Sequence, residues 1–332
     1  MRSLAAGLLL TFAALAAPSQ TATPTQAGYY RVGAATAVKV HPSPGYALMG
    51  GGTDLDEAFR WLCNRAAGGD FVVLRASGDD AYNAYINGLC KLNSVATVVI
   101  PGREAAGEAK VAETIRGASA IFIAGGDQSK YTRYWRGTPG ETALRDAVKR
   151  GIPIGGTSAG LAVLGEFIYS AEGDRPDDAD LTSAAAMADP FYRQVVVSPD
   201  LLGIPILRGV ITDSHFDTRK RIGRLMVLMA RILQSGQAAQ IHGIGVAEKT
   251  ALLVESNGHA QVVGEGGVQF FEMSKKALSC RPGEPLQVEN VQAREVLSGE
   301  SFNLRTWQGP EKIFYVSVIL HDGKPDLSMA WY

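Results

Sequence analysis

Between Tyr46 and Gly156 the chain repeats one pattern. A short run of consecutive apolar residues ends in small or polar ones, and a stretch with apolar residues at helical spacing follows. The runs are YALM (Tyr46–Met49), FVVLRAS (Phe71–Ser77), VATVVI (Val95–Ile100), AIFIAGG (Ala120–Gly126) and IPIGG (Ile152–Gly156). A strand with one wet face alternates apolar and polar residues, whereas a strand apolar throughout is covered on both faces. Helical stretches between such strands are the crossovers that parallel pairing requires. The pattern predicts an α/β fold, a mostly parallel sheet with helices on both faces. DLDEAFRWLCNRA, with Leu55, Phe59 and Leu62 on one side, is the first crossover helix. ILRGVIT, from Ile206 or Leu207 to Thr212, predicts a further strand. DSHFDTRKRIGRLMVLMARIL after it predicts a helix that sets Ile222, Leu225, Met226, Met229 and Ile232 against the sheet. GIGVAEKTALLVESNGHAQVVG alternates short β-like segments with turns and predicts a meander. Residues 275–332 are β-rich and are read as an extension of the domain formed by 28–274.

The N-terminus has a different composition. Arg2 precedes an apolar run, Leu4 to Ala17, that is too short for an ordinary membrane span and is followed by small residues. These are the parts of a secretory signal peptide, with cleavage after Ala16, Ala17 or Ala27 all compatible. Pro18 to Gln26 reads as a disordered leader, so 1–27 stand apart from the fold. The expected location is secreted or periplasmic, with no membrane attachment after signal removal. A net charge of −1 gives no basic excess for nucleic acid. Of three cysteines, Cys63 and Cys90 sit in successive predicted helices and are a candidate bridge; the alternative is that these two and Cys280 are all small buried apolar residues.

Ligands of parallel α/β sheets bind beyond the carboxyl ends of the strands. Four such places stand out: Gly125 to Gln128; Ser158; Asp213, Ser214 and His215; and Glu248. Gly156, Thr157, Ser158, Ala159 and Gly160 fit G-x-S-x-G, a sharp strand-to-helix turn that presents a hydroxyl, although a plain Gly-rich turn reads the same. A serine needs a base to take its proton, and an imidazole serves best when a third group fixes its tautomer. Among five histidines only His215 falls at a strand end of the parallel core. Glu248 is one candidate for the third group, with Asp189 and Asp200 as alternatives. The oxyanion donors are the N–H of Ala159 and that of Gly126 or Asp127. A strand-end histidine that precedes the best acid departs from the Ser, acid, His order of α/β-hydrolases. No metal-ligand spacing is present, so neither a metal nor a cofactor is expected.

GGTSAG, preceded by FIAGGDQ and followed by DSHFDTRKRIGRL and GIGVAEKTALLV, resembles the cyanophycinase-like serine peptidases, the family that also contains aspartyl dipeptidase. The resemblance covers about Tyr46 to Gly264. It implies a class I glutamine amidotransferase-like (flavodoxin-like) fold in which serine replaces the cysteine nucleophile. It places the nucleophile on Ser158, the base on His215, the orienting acid on Glu248, and a substrate and oxyanion element on Gly125 to Gln128. Ser214 stands where the family commonly has glutamine, and Ala247 where a second acid often precedes the catalytic one. The family also uses arginines at Arg219, Arg221 and Arg224. These sit in the first turns of the predicted helix, where the macrodipole disfavours cations, and so suggest an anion site beside His215; the alternative is a solvated basic face. The acids Glu172, Asp174, Asp177, Asp178 and Asp180 read as a solvated loop, or else meet a cationic substrate side chain.

The expected activity is that of an exported serine exopeptidase, a hydrolase cutting at aspartyl or β-aspartyl residues through an acyl-enzyme. Its partner is an acidic peptide or a cyanophycin-like polymer, and a homodimer is left open. The competing readings are a dipeptidase or isoaspartyl peptidase on short acidic peptides and a non-catalytic binding module of the same fold.

Overall fold

The apolar runs form a parallel core. In the computed structural model, which describes residues 25–276 and 278–331, the strands lie in the order Ser94–Val99, Asp70–Arg75, Ala120–Ile123, Ile154–Thr157 and Gly45–Met49. Of the 1–27 leader, everything before Thr25 lies outside the described residues. Alternate residues serve opposite layers, as a strand covered twice requires. Ala47, Met49, Phe71, Val73 and Phe122 pack with Phe59, Leu62 and Ile86 of the helices Asp56–Arg65 and Ala81–Leu89. Tyr46, Leu48, Val72, Leu74 and Ile123 face a second layer that holds the helices Ala109–Gly117 and Pro139–Lys149. Cys63 and Cys90 are joined in a disulfide across the first helix pair, with Cα atoms 6.1 Å apart, and Cys280 is a buried free thiol.

Antiparallel strands extend this sheet to nine. Gly28–Gly33 adds to one edge, and Thr250–Glu255, His259–Gly264 and Ser301–Asn303 add to the other. A second nine-stranded sheet has Val210–Asp213 parallel to Gln240–Val246 and to Phe167–Tyr169. It continues in antiparallel fashion through Gly267–Ser274, Gln287–Leu297, Ile313–His321 and Lys324–Trp331. The expected single, mostly parallel sheet is therefore two mixed sheets. The predicted meander is corrected with it: Gln240–Val246 belongs to the second sheet, and after three intervening residues Thr250–Glu255 lies in the first. The β-rich tail supplies strands to both sheets.

Two boundaries near the site also differ from expectation. Pro205–Leu207 is a 3₁₀ turn, and the strand begins only at Val210, after Gly209 at φ 71°. The helix predicted to run on from Asp213 begins at Ile222. His215 and Lys220 have φ of 47° and 49°, which no right-handed helix accommodates, so Asp213 to Arg221 form a compact turn.

Candidate active site

The serine turn is built by close backbone contact. A Cβ on Gly156 would lie 2.4 Å from the Gly160 carbonyl oxygen, and one on Gly160 would lie 2.0 Å from the Ile123 carbonyl oxygen, so neither position admits a side chain. Between them Ser158 adopts φ 53° and ψ −114°, a strained conformation for a residue with a Cβ. It caps the one-turn helix Ala159–Ala162 and points its hydroxyl off the end of the strand Ile154–Thr157. Strain held at this point aims the Oγ away from the sheet.

Ser158 Oγ lies 2.7 Å from His215 Nε2, and His215 Nδ1 lies 2.5 Å from Glu248 Oε1. The structure thus brings together three residues that follow three different parallel strands. Asp189 and Asp200 are engaged elsewhere: Asp189 accepts the Phe191 N–H at 3.0 Å, and Asp200 pairs with Arg145 at 2.9 Å. Burial pushes the His215 imidazole below its ordinary pKa; the Glu248 bond opposes that shift, and Arg219 and Arg221 add to it. The bond from His215 in turn holds the Glu248 carboxyl below its usual range. At neutral pH this arrangement is a neutral imidazole held by a carboxylate, ready to accept a proton from the hydroxyl.

Gly125 packs against Ser158, with a Cβ there only 3.5 Å from the serine Cβ, and Gly126 takes φ 145°. Gly126, Asp127, Gln128 and Ala159 line the same cavity as Ser158, about 280 Å³ in volume. The Asp127 carboxylate accepts the Ser129 N–H at 2.9 Å and so caps the helix Gln128–Trp135. Its side chain is thereby committed to structure.

The arginines do not sit as expected. Arg219 and Arg221 precede the helix, and of the three only Arg224 lies within its first turn. Nor are they a solvated basic face, because Arg221 and Arg224 are buried. Arg224 forks onto Asp213, Nε to Oδ2 at 3.0 Å and Nη2 to Oδ1, and its Nη1 reaches Asp180 at 3.2 Å. Arg221 donates to Asp180 Oδ2 at 2.5 Å and to the Ser214 carbonyl at 2.8 Å. Only Arg219, half exposed and 3.4 Å from Asp180, presents its charge to solvent. Ser214, buried, places its Oγ 3.5 Å from Arg221 Nη1.

The acidic stretch is an irregular, partly exposed segment, as the loop reading expects, but three of its five acids, Asp174, Asp178 and Asp180, are paired within the protein. Burial pushes the Asp180 carboxyl up, but Arg224, Arg221 and Arg219 more than reverse this and leave it below the usual carboxylate range. Asp178 is forked by Arg193, and Asp174 accepts from Gln194 at 3.1 Å. Asp213 and Asp180 were both visible in the sequence, one at a strand end and one in the acidic stretch, but their role as counter-ions of Arg221 and Arg224 was missed, because no local signal pairs residues 11 to 44 positions apart.

Gly50, Gly51 and Gly52 are a further omission. They too follow an apolar run. The Gly50 carbonyl accepts the His215 N–H at 2.7 Å, and a Cβ on Gly51 would lie 2.5 Å from the His215 ring. The rule that found the other four strand ends applies equally to this one.

An α/β fold that joins serine, imidazole and carboxylate beyond the ends of its parallel strands defines a serine hydrolase. The chain belongs to peptidase family S51, whose family model matches residues 80–262, more than half of its length and all three of these residues. It is 28% identical over 263 residues to a cyanophycinase of Synechococcus elongatus, covering 76% of this chain and 75% of that protein. It is 29% identical over 209 residues to a cyanophycinase of Nostoc sp. (strain PCC 7120), covering 61% and 62%. In fold it is similar to a peptidase from an acI-B1 actinobacterium, with a TM-score of 0.51 at 18% identity, covering 79% of this chain and 98% of that one. The protein is a serine-type peptidase of the cyanophycinase-like kind.

Proposed function

We propose that this peptidase is an exported exopeptidase that hydrolyses bonds at aspartyl or β-aspartyl residues through a Ser158 acyl-enzyme. The observation that carries the reading is the hydrogen-bonded chain from Ser158 through His215 to Glu248, opening into a small pocket walled by ion pairs. Ser158 Oγ attacks the scissile carbonyl carbon while His215 Nε2 takes the hydroxyl proton. The carbonyl oxygen becomes an oxyanion facing the N–H groups of Ala159 and of Gly126 or Asp127. Collapse breaks the C–N bond, the imidazolium returns its proton to the leaving amine, and a water activated by the same base then cleaves the ester. Glu248 holds the Nδ1 proton and stabilises the imidazolium.

Two observations support an acidic substrate and one a short segment of it. Arg219 is half exposed and its charge acts on the base, and a guanidinium fork suits a carboxylate. The cavity, at about 280 Å³, is at or below the low end of ligand pockets, about 300–1,000 Å³, and suits one or two residues. The similar proteins are cyanophycinases. The cavity size equally favours the second reading, a dipeptidase or isoaspartyl peptidase on short acidic peptides. The glutamine amidotransferase-like class fits the five-strand parallel core, and export rests on the N-terminal apolar run.

Purified protein incubated with cyanophycin and with a panel of α- and β-aspartyl dipeptides tests the proposal. Release of dipeptides from the polymer supports the first reading, turnover of free dipeptides alone supports the second, and no turnover of either overturns both.

A further inference from the structure

A glycine turn has no side chain of its own to hold it, and the turn after the strand Ala120–Ile123 is one. Gly126 takes φ 145°, a region that glycine alone enters readily. Its N–H, like those of Asp127 and Ala159, donates to no acceptor among the described residues. Gly126 lines the catalytic cavity, and Gly125 packs against Ser158. What holds this turn comes from the helix behind it. The Tyr131 hydroxyl donates to the Ala124 carbonyl at 2.7 Å and to the Gly125 carbonyl at 3.2 Å, one proton shared unequally between the two.

Tyr131 has a firm mounting. It is 1% exposed, its ring packs on that of Trp135 with centroids 4.5 Å apart, and neither ring lines the cavity. Burial pushes the hydroxyl far above its ordinary pKa, so it stays protonated and donates. A peptide group is planar, and in the trans form its C=O and N–H point in opposite directions. No cis peptide occurs among the described residues. The Gly125 carbonyl is directed at Tyr131, so the Gly126 N–H of the same peptide points away from it.

We propose that Tyr131 is the positioning residue of the oxyanion site: by holding the Ala124 and Gly125 carbonyls from behind, its hydroxyl aims the Gly126 N–H into the cavity beside Ser158. Tyr131 touches no reacting atom. The inference rests on the reading of Ser158 as the nucleophile, and it assigns the second oxyanion donor to Gly126.

The test is Tyr131→Phe in the full chain, with a fluorophosphonate as the probe: Ser158 Oγ displaces fluoride from phosphorus, and the P=O oxygen takes the place of the oxyanion. The second-order labelling rate falls about tenfold to a hundredfold, less than the loss of a whole donor costs, because the N–H is misaimed and not removed. Two readouts separate this from general loosening. The low-field imidazole N–H proton of the His215–Glu248 bond, identified by its loss in His215→Ala, stays in place in Tyr131→Phe, since the hydroxyl bonds neither residue. The phosphorus resonance of the labelled serine shifts, since it reports the surroundings of the P=O oxygen. Val318→Ala, at a buried position of the strand Ile313–His321, is the control: it lowers the melting temperature and keeps both the labelling rate and the phosphorus resonance of wild type. Should Tyr131→Phe fail to fold by circular dichroism, Trp135→Phe decides. It keeps the hydroxyl but loosens the ring that carries it, and it labels more slowly than wild type with the imidazole proton in place. A folded Tyr131→Phe with the wild-type rate and an unmoved phosphorus resonance overturns the inference alone. A slower rate with a displaced imidazole proton also overturns it, because the hydroxyl then acts through the base. A wild-type protein that takes no label overturns it together with the reading of Ser158 as the nucleophile.

Discussion

Ser158 was legible as the point of a tight strand-to-helix turn between two glycines, and its strand-end partners set it apart from a plain Gly-rich turn. The clashes that a Cβ would make at Gly156 and Gly160 are backbone contacts, and glycine is the only residue that answers them. His215 and Glu248 were legible by position at strand ends; their 2.5 Å contact was not, since it depends on how far the turn after Val246 carries the carboxyl. Ser158→Ala is expected to fold normally and lose turnover on the order of 10⁶-fold; measurable wild-type-like hydrolysis by that variant sinks the mechanism. Glu248→Gln lowers kcat by about 10⁴-fold, as loss of the acid does in a Ser–His–Asp triad, with KM little changed. The pH profile follows from His215. Its pKa is below the ordinary 6.5, so kcat/KM rises with pH through that lowered value and is level at neutrality. Glu248 pulls the value upward, so the residual activity of Glu248→Gln has its acid limb at still lower pH, which a profile of both enzymes between pH 4 and about 8 reads directly.

At the scale of elements, the turn from Asp213 to Arg221 decides the site. The apolar face begins at Ile222, with only Phe216 upstream of it, so the earlier start had no support in the spacing, and nothing in residue type betrays the positive φ of His215 or Lys220. That turn folds Arg221 back and lets Arg224 fork onto Asp213, locking helix to strand. Arg224 is almost wholly buried, and removing one member of a buried pair leaves the other charge unpaired. Arg224→Ala is therefore expected to lower stability by about 3–5 kcal/mol in urea melts, with Lys restoring part through charge without the fork. Loss of activity in a variant of unchanged stability would falsify this structural role and return Arg224 to direct substrate binding. The Asp180 carboxyl, held low by the same arginines, gives the contribution its pH sign. Its stabilisation is fully present above the unfolded carboxylate value, about pH 4, and is lost as pH falls through the lower folded value. Wild type and Asp180→Asn should thus differ in melting temperature at pH 7 and converge in strong acid.

At the scale of the whole molecule, the parallel core was readable because continuous apolar runs admit one arrangement, whereas the division into two sheets was not. Gln240–Val246 and Thr250–Glu255 are both short and apolar, and periodicity carries no record of which neighbour each one pairs with. The same ambiguity hid what the C-terminal strands do. Ser301–Asn303 closes an edge of the first sheet while Gln287–Leu297 and Ile313–His321 build the second. Phe302 of the first sheet stacks on Phe270 of the second, with centroids 3.8 Å apart, so the tail pins the two sheets together. Val291, Val296, Phe302, Phe314, Val316 and Val318 are all buried. At about 1.5–3 kcal/mol for each buried side chain they contribute at most about 10–20 kcal/mol, as much as the whole net stability of an ordinary domain, about 5–15 kcal/mol. The tail is therefore expected to unfold with the site as one cooperative unit. A chain ending at Ser274 is expected to be insoluble or to show no cooperative thermal transition, and adding 275–332 as a separate polypeptide is not expected to restore a sharp one, since strands of both sheets must form together. A truncated chain that melts cooperatively and still labels at Ser158 would show instead that the tail is a dispensable appendage to a smaller peptidase fold.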